Sequence, residues 1–422
     1  MPMETLIATG KRSNLLARGT VTHSSEDTDF PWENAWDGRG RTPGAFAAAG
    51  LNDYLRVDLD EVPDPGFEVA ALTAWTTATN GAGNTAALAT DQKNAGAKSL
   101  KLHLAAAGAG NYALGQVDLE EIPSGERRTI QAALRGDGTV YCRVRAYIPE
   151  LGLYLTPAAA WTATPTDLWT QQTASWTALT TTMLTFVMPT YAASARALLT
   201  LRIIAYAEEA SSTGDAWVDD VACWASMSFL GVHGHELGPV APQWRHSTDG
   251  FAASDDLVLA LTIAEGKFYG YSATPSDRRY QELLLSGTNH EAAAFGEVGF
   301  CQAYAHERYG MDSLTTTEGL AQERLEAPDG VVAVIALAQR PTTSKELALA
   351  WPTETNFLAW LREVARRSEY GRWPAWFVLD SDSADVLFCC LPKDLVDALE
   401  LVGVHRASSK IQVTEQPFPI WY

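Results

Sequence analysis

Cysteine is scarce in this 422-residue chain: five residues, an odd number, at positions 142, 223, 301, 389 and 390. No Cys-x-x-Cys spacing occurs, and the only close pair is the vicinal Cys389-Cys390. That argues against a disulfide scaffold or a structural zinc site and predicts reduced thiols within strands, in a protein made in a cytoplasm. Basic residues are also short. Thirty-one Lys and Arg face 51 Asp and Glu, a net charge of −20 whose field repels phosphate backbones and anionic membranes, so nucleic acid is excluded as the main partner. Long apolar runs are missing as well. Stretches such as Val331 to Ala338 fall far below the ~18 residues of a membrane span, and Met1 to Gly10 shows no signal pattern, so neither membrane insertion nor classical secretion is expected. Catalytic signatures are absent too: there is no GxSxG elbow, P-loop, HExxH or dinucleotide fingerprint, and no enzyme is expected.

What the chain does have is core. Apolar residues make up 46% and charged residues 19%, enough for several packed domains in a length that exceeds one hydrophobic core. Most of the first 300 residues read as short strands with a two-residue apolar repeat. Tyr54 to Leu59, Ser99 to Leu104, Val140 to Tyr147 and Leu198 to Ile204 are examples, and the Thr-rich stretch from Thr162 to Thr185 reads as strands and loops. The character changes near Gly299. Val331 to Ala338 reads as a buried strand. Glu354 to Ser368 has Phe357, Leu358, Leu361, Val364 and Ala365 at helical spacing, with Thr353 as its cap. Strands follow at Ala375 to Leu379, Val386 to Leu391 and Ile411 to Glu415, which makes the last third α+β.

Candidate chemistry is sparse. His233 and His235, two apart on a strand, share a face but lack a third zinc ligand, and His103, His246, His290, His306 and His405 stand singly. All read as structural or surface residues. The pairs Glu120-Glu121, Asp219-Asp220 and Asp255-Asp256 point to opposite faces of a strand, so they do not supply the two facing carboxylates of a glycosidase. Aromatic residues are the better hint, because sugars lay their C–H faces on Trp and Tyr rings. Tyr147, Tyr154, Trp161 and Trp176, in or beside loop-like sequence, are the glycan-binding candidates. Trp32 and Trp36 share the ambiguity between binding and core.

Resemblances add to this reading. Asp64-Pro65-Gly66-Phe67-Glu68, Trp75, Gly96-Ala97-Lys98-Ser99-Leu100, Leu168-Trp169-Thr170 and Trp217-Val218-Asp219-Asp220-Val221 occur in an order that resembles the carbohydrate-binding jelly-roll modules of bacterial glycoside hydrolases. The resemblance implies that Glu68 meets Asp219 or Asp220 at a structural calcium, a hard ion suited to carboxylate oxygens, and that Trp75, Trp169 and Trp217 belong to the core.

The flanks are similar to the two halves of a discoidin-type sandwich. Val21 to Glu26, Pro31 to Gly38 and Tyr54 to Leu59 carry the first half; Val232 to Leu237, His246 to Gly250, Arg279 to Leu283 and Gly296 to Val298 carry the second. No cysteine pair sits at the ends that this family usually ties by a disulfide. The expected architecture is mainly β: a discontinuous discoidin-like sandwich over residues 1–61 and 225–298, a jelly roll inserted at 62–224, and an α+β domain at 299–422.

Residues 296–422 resemble, diffusely, a segment of tail-tip proteins of long-tailed bacteriophages. That resemblance implies a virion component of the distal tail, made in the host cytoplasm and assembled in a ring with copies of itself and other tail proteins, with cell-surface saccharide as a further partner. A free lectin or adhesin, and a polysaccharide-degrading tail enzyme, are the alternative readings.

Overall fold

The computed structural model describes residues 4–9, 14–37, 43–48, 50–105, 108, 110–190, 197–206, 212–237, 241–252, 257–264, 266–287, 293–307, 310–319, 322–326, 332–336, 342–351, 374–378, 386–390, 399–401 and 407–415. Among the described residues strands dominate and the only helices are three short 3-10 turns, so the class is mainly β, built from several antiparallel sheets. Among the described residues beyond 299 every regular element is a strand; the helix expected over Glu354 to Ser368 lies outside them. No helix among the described residues is long and apolar enough to cross a membrane.

The chain divides into two compact units, Met1–Leu59 with Met227–Tyr422, and Asp60–Ser226. The sequence reading set 299–422 apart as a third domain, whereas this division leaves those residues with the two flanks.

In the discontinuous unit, strands from both flanks share sheets. Asp53–Asp58 pairs antiparallel with Tyr280–Ser286, placing Leu55 opposite Leu283 and Arg56 opposite Glu282. Thr20–His23 extends this sheet on one side and Ala241–Ser247 on the other. Leu55, Val57, Leu283 and Leu285 are buried, while Arg56, Asp58 and Glu282 are charged residues at the alternate positions. Glu282, only 1% exposed, sits between Arg56 at 2.6 Å and Arg245 at 2.8 Å, contributed by the strands on either side of its own. A buried carboxylate needs such partners, and here two guanidiniums supply them across three strands. Arg279 and Asp58 add a two-pronged ion pair, both contacts 2.6 Å.

A second sheet of the same unit centres on Met227–Glu236, flanked by Lys267–Ser276 and Ala294–Cys301. All eight residues of Ala294–Cys301 are buried, because both of its faces are covered. Gly231 lies opposite Gly299, and together they leave a slot for the indole of Trp376. A Cβ on Gly231 would come within 2.6 Å of that ring, and one on Gly299 would also collide with it. Trp376 belongs to Ala375–Val378, in an eight-stranded sheet that also contains Glu4–Thr9, Val386–Cys390 and Ala407–Glu415. Phe229, Tyr269, Cys301, Trp376, Val378, Val386 and Phe388 form the cluster between these two sheets.

The inserted unit is a sandwich of a seven-stranded and a five-stranded sheet, with one continuous core that includes Leu100, Leu134, Val144, Leu201 and Val218. Its two ends are bonded together: Asp60 bridges Trp224, and the Glu61 amide donates to the Cys223 carbonyl at 3.0 Å. Beneath that closure lies Arg128, fully buried, 2.9 Å from Glu61 and 2.6 Å from Glu126. Adjacent ends let such a module sit within another chain segment without opening its own core.

Cys142, Cys223, Cys301 and Cys389 are buried free thiols on strands. Burial pushes Cys142 up to about 12 and Cys223 up to about 11, so neither is a nucleophile at neutral pH.

Candidate functional site

The seven-stranded sheet of the inserted unit has a buried face and an open one. Along Tyr141–Ile148 half-buried and buried residues alternate without exception. Cys142, Val144, Ala146 and Ile148 enter the core, so the pleat turns Tyr141, Arg143, Arg145 and Tyr147 outward. The neighbouring Ala197–Tyr206 and Tyr112–Ile122 strands contribute their own outward residues in register. Arg145 lies opposite Arg202, Arg202 opposite Gln116, and Gln116 opposite Thr76. The adjacent rung reads Arg143, Ile204, Leu114 and Ala78.

These two rungs, with Tyr112, line an open cleft of about 610 Å³. Its wall is mixed: apolar patches from Ala78, Leu114 and Ile204 lie among Thr76, Gln116 and three arginines. That combination of flat apolar surface and fixed polar groups matches a sugar ring, with its C–H faces and equatorial hydroxyls. Second contacts hold the polar groups in place. Asp167 receives Arg145 at 2.7 and 3.0 Å and Arg143 at 3.3 Å. Arg202 donates to the Gln116 side-chain oxygen at 2.7 and 2.9 Å and to the Tyr147 hydroxyl at 2.6 Å. Asp118, one rung further on, accepts from Thr200 at 2.7 Å and from Gln116 at 3.1 Å.

The four aromatic candidates separate in space. Tyr147 and Tyr154 stand in register on neighbouring strands and stack at 5.5 Å with 19° between their planes. They adjoin the cleft one rung beyond Arg145 and Arg202, and each lies under a guanidinium, Arg202 over Tyr147 at 4.9 Å and Arg145 over Tyr154 at 5.8 Å. Trp161 is turned elsewhere. Its indole N–H donates to the Val187 carbonyl at 2.8 Å, and its ring meets Phe186 edge-on against the core. Trp176 is half-buried in the segment between Trp169–Gln171 and Met183–Val187. Neither tryptophan lines the cleft. Trp32, Trp75 and Trp217 are buried.

The sequence reading passed over Arg143, Arg145, Arg202, Gln116 and Tyr112. The signal for the first two was local: the alternation that marks one face as core marks the other as open, and that open face reads Tyr-Arg-Arg-Tyr at positions 141, 143, 145 and 147.

A second cluster of interest surrounds the 94–98 loop. Glu68 accepts from the Ala97 and Lys98 amides at 2.6 and 3.1 Å, while Asp219 accepts from the Asn94 and Ala95 amides at 2.8 and 3.1 Å. Asp220 takes the Asn94 side-chain amide at 2.7 Å. Adjacent acids on a regular strand diverge; these two converge on Asn94 because Asp220 has φ +50° at an irregular register between Asp219 and Ala222. Gly96, at φ +58°, has no room for a Cβ beside the Glu68 carboxylate.

The amides hold Glu68 below the usual carboxylate range. Asp219 moves the other way, to about 6, because burial outweighs its amide donors and the charge of Asp220 adds to it. An all-oxygen pair of carboxylates around one loop is chemically fit for calcium, and a cation would relieve the buried charge on Asp219. Lys98 already supplies one positive charge there, bonding the Glu68 and Val69 carbonyls at 3.1 and 2.6 Å. No group of three or more His, Cys, Asp or Glu that could hold a metal occurs among the described residues.

The two neighbouring histidines do not act together. His233 packs against Trp376 and Phe388, and His235 against Phe268, with Gly234 at φ +66° interrupting the two-residue repeat between them.

No protein-family model matches the chain, and no curated protein matches it. Similar solved structures include the enzymatically active domain of tailspike protein 4 of bacteriophage CBA120, at 11% identity and TM-score 0.30, over 40% of this chain and 21% of that one. This chain therefore spans about a fifth of the tailspike structure. A family 61 carbohydrate-binding module in complex with β-1,4-galactotriose matches at 11% identity and TM-score 0.27, over 39% of this chain and 98% of the module. The family 22 xylan-binding domain of Xyn10C from Paenibacillus barcinonensis matches at 12% identity and TM-score 0.26, over 42% and 97%.

Proposed function

We propose that this chain binds saccharide without turning it over, and that it does so on the open face of the inserted sandwich. The observation that carries the reading is the cleft itself, where apolar patches and pre-positioned polar groups share one concave surface and two stacked tyrosines extend it. Hydrolysis is disfavoured by the same geometry. Glycosidases set two carboxylates across the scissile bond, whereas the lining holds none among the described residues, and the nearby Asp167 is tied to two arginines.

The test is glycan-array and calorimetric binding by the full chain, repeated with Tyr154→Ala. A bound saccharide whose affinity falls about tenfold in that variant, roughly 1.4 kcal/mol, supports the reading. Unchanged affinity, or release of shortened products, overturns it.

The setting proposed for this activity is the distal tail of a bacteriophage virion, where the chain is a structural part joined to copies of itself and to other tail proteins. Residues 296–422 carry the resemblance behind it. Among the described residues, the eight-stranded sheet ends in Ala303–Glu307 and Gly310–Gly319, two edge strands of the kind that subunit contacts in a ring cover. Immunogold labelling of tail tips tests it; a strictly monomeric protein that is absent from particles contradicts it. Glu68 and Asp219 are the residues proposed to hold a structural calcium. A chelator then lowers the unfolding midpoint of the inserted unit, and an unchanged midpoint removes the metal from the account.

A further inference from the structure

The inference that follows rests on the cleft being a saccharide site and concerns which saccharides it takes. The chain as a whole is strongly anionic, at −20, yet among the described residues the cleft lining contains Arg143, Arg145 and Arg202 and no Asp or Glu. Asp167 is shared by Arg143 and Arg145.

Arg202 differs from both. Its guanidinium is fixed by neutral acceptors only, the Gln116 oxygen and the Tyr147 hydroxyl, and rests over the Tyr147 ring. No carboxylate pairs with it among the described residues. It also occupies the middle of the floor, on a strand between those of Arg145 and Gln116. Neutral partners orient a cation without cancelling its field, and the Nη1 group, which none of these bonds uses, is left to donate to a ligand oxyanion.

We infer that the cleft selects acidic saccharides, chains whose rings bear an oxyanion, with Arg202 as its anchoring charge and Arg145 beside it. The tyrosines and the Leu114–Ile204 patch take the faces of the flanking rings. A neutral glycan laid over Arg202 covers the guanidinium and strips water from it without supplying a counter-charge, which costs free energy. Selectivity follows from that difference. Carboxylates of uronic or sialic acids and sulfate esters offer the same pair of acceptor oxygens, so the experiment separates them.

The probes are oligosaccharides of galacturonate, alginate, hyaluronan and polysialic acid, each beside its carboxyl-reduced form, and chondroitin sulfate beside its desulfated form, titrated into the full chain. At least one acidic member binds ten times more tightly than its neutralised counterpart, and whether that member is a carboxyl or a sulfate pair identifies the oxyanion. Arg202→Gln brings the ratio to within about twofold, chiefly by weakening the acidic member.

Equal affinity of every acidic and neutralised pair overturns the inference and leaves the saccharide reading standing. A preference that survives Arg202→Gln overturns the role of Arg202. No binding by any probe overturns both. Should Arg202→Gln fail to fold, the acid-to-neutral ratio of the unaltered protein still decides the class.

Discussion

Two sheets of this protein obey the same two-residue repeat and end in opposite situations. Ala294–Cys301 lies in a sheet covered on both sides, and each of its eight residues is buried; Tyr141–Ile148 lies in a sheet covered on one side, and its residues alternate. The first sequence, Ala-Phe-Gly-Glu-Val-Gly-Phe-Cys, keeps one polar residue, the buried Glu297, and has glycine at 299 because Gly299 and its neighbour Gly231 must admit the Trp376 indole. The second keeps Tyr, Arg, Arg and Tyr on its free face. A middle layer gives its outer face to packing, and an outer layer has that face available for a ligand.

Trp376→Ala breaks the contrast most severely. It empties the slot between two sheets and is expected to cost the discontinuous unit about 3–5 kcal/mol, read as a lowered urea midpoint in that unit's transition. A loss below about 1 kcal/mol would mean that this layer is not packed as described.

Acid is the next largest perturbation. His246 is buried against Trp244, neither ring nitrogen has a hydrogen-bond partner among the described residues, and burial with the nearby Arg278 lowers it to about 4. The unfolded chain takes up this proton near pH 6.5 and the folded one only near 4. Stability is therefore full above about 6.5 and falls through that interval, by an amount on the order of 3 kcal/mol. Asp219 in the inserted unit has the opposite sign. Its folded value is raised to about 6, so its contribution is present below about 3.8 and lost as pH rises through 6. Urea midpoints at pH 7.5 and 4.5, with His246→Phe and Asp219→Asn as controls, separate the two; parallel pH responses would contradict the assignment.

Much of this contrast was legible in the chain. Val140 to Tyr147 and Ser99 to Leu104 declare a buried and a free face by alternation alone, and Ala375 to Leu379 reads as a strand without revealing that both of its faces are covered. The cleft was less legible, because its floor is assembled by register. Arg202 meets Gln116 across 86 positions of sequence, a pairing that no local pattern specifies. Trp161 illustrates the converse: it stands in loop-like sequence, yet the Val187 carbonyl and Phe186 draw it against the core. Seeing that Asp219 and Asp220 converge required the irregular backbone at residue 220, which departs from the strand geometry that alternation assumes.

Smaller changes sharpen the comparison. Gly299→Ala puts one methyl group against the Trp376 ring and is expected to cost about 1–3 kcal/mol by overpacking, measured as a shift in thermal midpoint. Tyr154→Ala, on the open face, is expected to change stability by less than about 1 kcal/mol while weakening saccharide binding. The two variants thus have inverse profiles, one structural and one functional, and a Tyr154→Ala protein that unfolds readily would erase the distinction.

Hydrogen exchange of the full chain with and without a saturating saccharide identified on the array tests the central claim most directly. Protection is predicted in Tyr112–Ile122, Tyr141–Ile148 and Ala197–Tyr206, with Ala294–Cys301 unchanged. Protection confined to the discontinuous unit, or to the five-stranded sheet on the other side of the inserted one, would contradict the placement of the site.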